Sequence, residues 1–197
     1  MKKQVPPLHD RSLKERLTGK VDAIEILTQD HRKVQKLFRE FQKLVEQDDG
    51  NTVRKEEIVR EACALLTIHA MVEEEIFYPA VARAVGDNEI MNIAKVEHDG
   101  CNDLIEQLGK MRAGDEFFDA RFIVLGEAMN LHIREEEHDM FPRVHKSGLD
   151  LDLIGRHIEK RQQELLVERG MDVDYIRDIN LTSPHAKAVL TKEGLLP

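Results

Sequence analysis

An eleven-residue pattern occurs twice in this chain and restricts the folds open to it. One copy is HAMVEEEIFYP, running from His69 through Glu73 to Pro79. The other is HIREEEHDMFP, running from His132 through Glu136 to Pro142. Each copy is His, three residues, Glu, five residues, Pro. An acidic residue and a His precede each copy at similar distances, Asp30-His31 before the first and Glu97-His98 before the second. Residues four apart share one helix face, so each copy presents an imidazole and a carboxylate to the same side.

The surrounding sequence is helical in period. Ile24, Leu27, His31, Val34, Phe38 and Phe41 step by three and four, which is one face of a helix. Ile58, Ala62, Leu65, His69 and Glu73 form a second stripe, continuing to Ile76. Met91, Ala94, His98, Cys101, Ile105 and Leu108 form a third; Phe118, Phe122, Leu125, Met129, His132, Glu136 and Met140 form a fourth. These stripes predict helices over 22–47, 52–84, 88–111 and 116–144, with Asp22 and Glu25 as a capping pair. The two prolines predict a kink or break near Phe77-Tyr78 and its counterpart. Turn residues between the helices are few, and short connections make neighbours antiparallel. The expected fold is therefore all-α, an up-down-up-down four-helix bundle, with a fifth helix over 150–169.

Three parts are expected: an N-terminal arm over 1–21, the bundle over 22–147, and a C-terminal extension over 148–197. The arm is expected to contain a helical turn near 12–17, and the extension a short helix from Ser183-Pro184 to Gly194. The net charge of −9 argues against a nucleic-acid surface. No apolar run is long enough for a membrane span and no leader is evident, so a cytoplasmic location is the default expectation. Two cysteines, Cys63 and Cys101, fall within helical patterns and do not suggest a disulfide framework.

His31, His69, Glu73, His98, His132 and Glu136 replace apolar residues on four inward faces. At about 1.5 Å per residue, all four histidines lie roughly 15 Å from the same end of an antiparallel bundle. Buried without partners, such groups would cost several kcal/mol. Two cations remove that cost, and imidazole with carboxylate suits iron, manganese or zinc. The two carboxylates are expected to bridge the ions, leaving coordination positions for a solvent-derived bridge and for O₂, peroxide or NO. Among the remaining groups, Glu74, Glu75, Glu135 and Glu137 are expected on a solvated face and Tyr78 in the core. His138 is expected off the site face, and His157 is an optional extra ligand from the fifth helix.

These residues resemble the hemerythrin-like family, the HHE cation-binding domains. The pattern H…HxxxE…H…HxxxE matches through His31, His69, Glu73, His98, His132 and Glu136. The resemblance implies two iron ions, oxo- or hydroxo-bridged, ahead of zinc or manganese, in a four-helix bundle. Two departures stand out. Asn102 occupies the place where oxygen carriers have a further His, and Glu136 stands where they have Asp one residue later. The arrangement looks more like the bacterial HHE proteins and the di-iron repair proteins linked to oxidative and nitrosative stress. A peroxidase-like, catalase-like or NO-consuming oxidoreductase is thus implied, with an oxygen or redox sensor and an iron store or donor as alternatives.

Overall fold

A computed structural model describes residues 21–47, 50–86 and 88–169. The expected features at 1–20 and 170–197 lie outside these residues. Helix α1 spans Ala23–Gln47. The second long helix consists of α2 (Thr52–Val72), a π-helical turn over Glu73–Phe77 and α3 (Tyr78–Val85). Helix α4 spans Asn88–Leu108. The fourth long helix repeats the second: α5 (Phe118–Glu135), a π turn over Glu136–Met140 and α6 (Phe141–Lys146). Helix α7 covers Leu151–Glu168. No strand occurs among the described residues.

Cross-helix pairs give the directions. Glu40 meets Arg54 while His31 meets His69, so α1 and α2 are antiparallel. Gln107 meets Arg121 while Glu97 meets His132, which sets α5 against α4. Gln35–Asn130 and Arg32–Glu137 set α5 against α1, closing the up-down-up-down bundle. Helix α7 then lies across α1 and α2 on one side of the bundle. It is anchored at its first turn, where Asp152 accepts from the Val21 backbone N–H at 2.7 Å. Gly155 makes this approach possible, because a Cβ there would lie 1.9 Å from the Val21 carbonyl oxygen.

Local chemistry explains the helix ends. The Asp22 carboxylate accepts from the Ile24 and Glu25 N–H groups at 2.8 and 3.3 Å, an N-cap. The Glu25 carboxylate accepts from Gln29. Helix α4 stops at Leu108, short of the expected 111. Helix α5 starts at Phe118, two residues later than expected, because Phe117 adopts a left-handed conformation with φ 70° that an α-helix cannot include.

Of the kink or break expected near Phe77-Tyr78, a break does not occur. Instead, the helix widens by one residue per turn immediately after each HxxxE pair. The Tyr78 N–H donates to the Glu73 carbonyl, and the Phe141 N–H to that of Glu136. Proline cannot donate to a carbonyl four residues back and its ring crowds that group. A π turn accommodates this without ending the helix.

Candidate metal centre

Two apolar clusters fill the bundle. One holds Leu27, Val72, Phe77, Met140 and Phe141 with the aliphatic side chains of α7. The other holds Val34, Phe41, Ile58, Phe118, Phe122 and Leu125. Between them lies a polar layer: His31, His69, Glu73, His98, His132 and Glu136, all 0–3% exposed. On α1, His31 separates Leu27 of the first cluster from Val34 of the second. All six residues singled out in the sequence meet in this layer.

The six make two adjacent groups of candidate donors. His31, His69, Glu73 and Glu136 form the first, and Glu73, His98 and His132 the second. The Nε2 atoms of His31 and His69 are 3.1 Å apart, as are those of His98 and His132. Glu73 spans the two groups, with Oε1 3.2 Å from His69 Nε2 and Oε2 3.4 Å from His98 Nε2. Glu136 is less even. Its Oε2 is 3.2 Å from His31 Nε2 but 3.6 Å from His132 Nε2, and its Oε1 accepts from the Tyr78 hydroxyl at 2.8 Å. Glu73 therefore has the geometry of a bridge, whereas Glu136 leans to the first group.

The imidazoles are oriented from behind. Glu137 lies 3.0 Å from His31 Nδ1, Glu74 3.2 Å from His98 Nδ1, and Glu97 2.8 Å from His132 Nδ1. An ionised carboxylate only accepts, so these three Nδ1 atoms carry the proton. The Nε2 lone pairs of His98 and His132 then face each other at 3.1 Å, which is repulsive unless a cation lies between them. Two donors each about 2.1 Å from an ion and at right angles are roughly 3 Å apart. The buried Glu73 Oε1 and Glu136 Oε2 have no hydrogen-bond partner, which likewise fits a cation. The donor set and its spacing thus suit a pair of metal ions.

Electrostatics reinforce this. Burial pushes the pKa of His69 well below that of a free imidazole, and His31 adds to the effect. Burial and His132 lower that of His98. Burial acts downward on His132 too, but Glu136 and Glu97 outweigh it and the net shift is upward. Burial and the Glu136 charge raise Glu73 well above the usual carboxylate range. For Glu136 burial acts upward, yet His132 and His31 hold it well below that range. Burial and the two carboxylates raise the Tyr78 phenol, which stays protonated and donates. Perturbations of this kind concentrate at functional sites.

Several residues play other parts than expected. Glu74 and Glu137 orient imidazoles, because the wider π turn keeps the residue after each inward Glu close to the site. Glu75 instead pairs with Arg161 of α7 at 2.7 Å, and Glu135 is exposed. Tyr78 packs against His98, as Phe141 does against His31, at centroid distances of 5.8 and 5.9 Å. Its hydroxyl also reaches both carboxylates, with Glu73 Oε2 at 3.3 Å. Sequence reasoning missed Glu97 as an orienting group, although its place beside His98 was the available signal. His157 is exposed on α7, away from the layer, and His138 is exposed beside the Arg134 carbonyl. Burial raises the thiols of Cys63 and Cys101 to about 12 and about 11, so both stay protonated.

Comparison with known proteins adds three findings. The family model described as "Hemerythrin HHE cation binding domain" matches residues 22–144. A DNA nickase of Nostoc sp. is 27% identical over 120 residues, which cover 61% of this chain but only 32% of the nickase. The chain therefore spans about a third of that relative's length. A crystal structure of a hemerythrin HHE cation binding domain-containing protein from Mycobacterium kansasii superposes with a TM-score of 0.63. It is 20% identical, and the superposition covers 75% of this chain and 89% of the other.

Proposed function

Because the chain belongs to the hemerythrin HHE cation-binding family, we propose that its buried layer holds two iron ions that bind or react with O₂, peroxide or NO. The ligands in this reading are His31, His69, Glu73, His98, His132 and Glu136. The observation that carries it is the paired donor set. Each group of three or four donors is too small to complete six-coordination, which leaves positions for an exogenous ligand. Iron there would supply redox electrons and exchangeable coordination positions. The donors alone suit zinc or manganese too, and the family resemblance is what puts iron ahead of them.

The protein's own groups serve this reading. Glu74, Glu97 and Glu137 fix the tautomers of three imidazoles and aim their Nε2 atoms inward. The two apolar clusters exclude bulk water, and site residues this buried favour a ligand of diatomic or peroxide size. The Tyr78 hydroxyl keeps a proton between the two carboxylates. A sensing role is favoured by two contacts: α7 touches residues flanking the ligands through Arg161–Glu75 and Gln162–Asp30. The nickase covers far more than this domain, and its named activity is not carried over to this chain.

The test is the metal content and absorption spectrum of the purified chain, before and after peroxide or NO. About two irons per chain and a spectrum that changes on addition are expected. Glu73→Ala should lose at least one ion. Binding of no iron, or a spectrum that neither peroxide, NO nor O₂ changes, would overturn the reading.

A further inference from the structure

We infer that Gln162 of α7 is a positioning residue that keeps the two ion positions unequal, by holding Asp30 away from His69. The inference rests on the two-ion reading above. His69 is the exception among the four imidazoles. Its Nδ1 is buried and has no hydrogen-bond partner, whereas the other three each have a carboxylate.

The repeat shows which group is displaced. Glu97 precedes His98 and reaches across to His132 Nδ1 at 2.8 Å. Asp30 precedes His31 in the same way, and so stands where a carboxylate for His69 belongs. It is turned elsewhere. Gln162 Nε2 donates to Asp30 Oδ2 at 2.6 Å in a buried contact, and Lys33 Nζ donates to Oδ1 at 2.9 Å. Neither holder has a counterpart in the other half: Gly100 stands in the place of Lys33, and among the described residues no helix covers α4 and α5 as α7 covers α1 and α2. Gln162 is the firmer of the two, being 8% exposed, while the Lys33 side chain is 33% exposed.

A carboxylate behind a ligating imidazole fixes its ring and makes it a better donor, and losing one typically weakens metal binding about 10–100-fold. His69 lacks this support, so the position shared by His31 and His69 is weaker than its donor count implies. Release of Asp30 would supply the missing carboxylate. Arg161 on the same helix pairs with Glu75 in the π turn, so α7 grips the first half of the site at two points.

The experiment loads the full chain with iron(II) under anaerobic conditions and follows its loss to a chromogenic chelator. Wild type should release two ions in two phases. Gln162→Leu, alone or with Asp30→Glu to match the length of Glu97, should slow one phase about tenfold. With Asp30→Ala added instead, that gain should vanish. Glu97→Ala should accelerate the other phase by a similar factor. A merely structural role for Gln162 would move both phases together and would not depend on Asp30. Release that neither Gln162→Leu nor its Asp30→Glu form slows, or that slows equally with Ala at position 30, overturns the inference alone. Uptake of fewer than two irons by wild type overturns the two-ion reading and this inference with it.

Discussion

Aligning His31 with His98 and His69 with His132 pairs Ile26 with Ile93, Ile68 with Leu131, and Tyr78 with Phe141. The paired positions share a backbone, down to the two π turns, yet their surroundings differ. Ile68 is 4% exposed and Leu131 46%; Ile26 is partly buried and Ile93 is 47% exposed. The cause is α7, which lies over α1 and α2 and has no equivalent over α4 and α5 among the described residues. Burial here is a property of what covers a face, since the faces themselves are similarly apolar. The same helix takes Asp30 away from His69, while Glu97 is free to hold His132. An internal repeat thus fixes the scaffold of both half-sites, and a single added helix makes them different.

The largest test of this contrast is a pair of truncations. Ile68→Ala should destabilise the fold by about 2–5 kcal/mol, the usual cost of emptying a buried aliphatic site. Leu131→Ala should change stability by about 0.5 kcal/mol or less, because its side chain already meets water. Urea unfolding of the two variants measures the difference, and equal losses would mean that α4 and α5 are also covered.

Next in size are two glycines. Gly155→Ala drives a Cβ into the Val21 backbone and should cost about 1–3 kcal/mol, with faster proteolysis at the α7 junction. Gly100→Ala in α4 meets nothing within 4 Å and should gain about 0.5–1 kcal/mol from helix propensity. Thermal unfolding would show opposite signs; a loss at Gly100 would break the argument that this face is open.

The aromatic pair separates packing from hydrogen bonding. Tyr78→Phe keeps the ring on His98 but strips Glu136 Oε1 of its donor, and should cost the ion-free chain about 1–2 kcal/mol. It also makes this aromatic pair chemically alike and so removes one of the differences between the halves, which should bring the ions closer to equivalence in the absorption or Mössbauer spectrum.

The smallest effect is a titration difference. In ion-free protein, His69 should stay neutral as pH falls below 6.5, while His132 takes up its proton first. The signs oppose each other. A lowered pKa such as that of His69 gives stability that is intact above 6.5 and lost as pH falls toward the folded value. The raised pKa of His132 gives stability present below 6.5 and lost as pH rises through its folded value. Imidazole NMR titration follows both, and Glu97→Gln should bring His132 toward the behaviour of His69.

Much of this was legible in the residues. The stripes through Ile24–Phe41 and Phe118–Met140 located the helices, because burial of one face imposes the 3.6-residue period. The HxxxE repeat located four polar residues of the central layer and the preceding Asp30-His31 and Glu97-His98 pairs the other two, since charge on an apolar stripe has few explanations. The roles of Glu74 and Glu137 were not legible: a regular helix turns the residue after an inward Glu away, and only the π turn brings it back. Tyr78 was ambiguous for a related reason, as an aromatic near a proline packs in most contexts, and the shorter of its two hydroxyl contacts is to Glu136 from another helix.

By itself, then, the sequence determined the four amphipathic helices, their antiparallel order and the level at which the histidines meet. These follow from local period and short connections, which any sequence window contains. Only the tertiary structure decided that Glu73 spans both donor groups while Glu136 favours one, that α7 covers the first half alone, and that Asp30 bonds Gln162 rather than His69. Each depends on which side chains compete for a shared atom or surface across helices far apart in the chain. No local pattern records that competition.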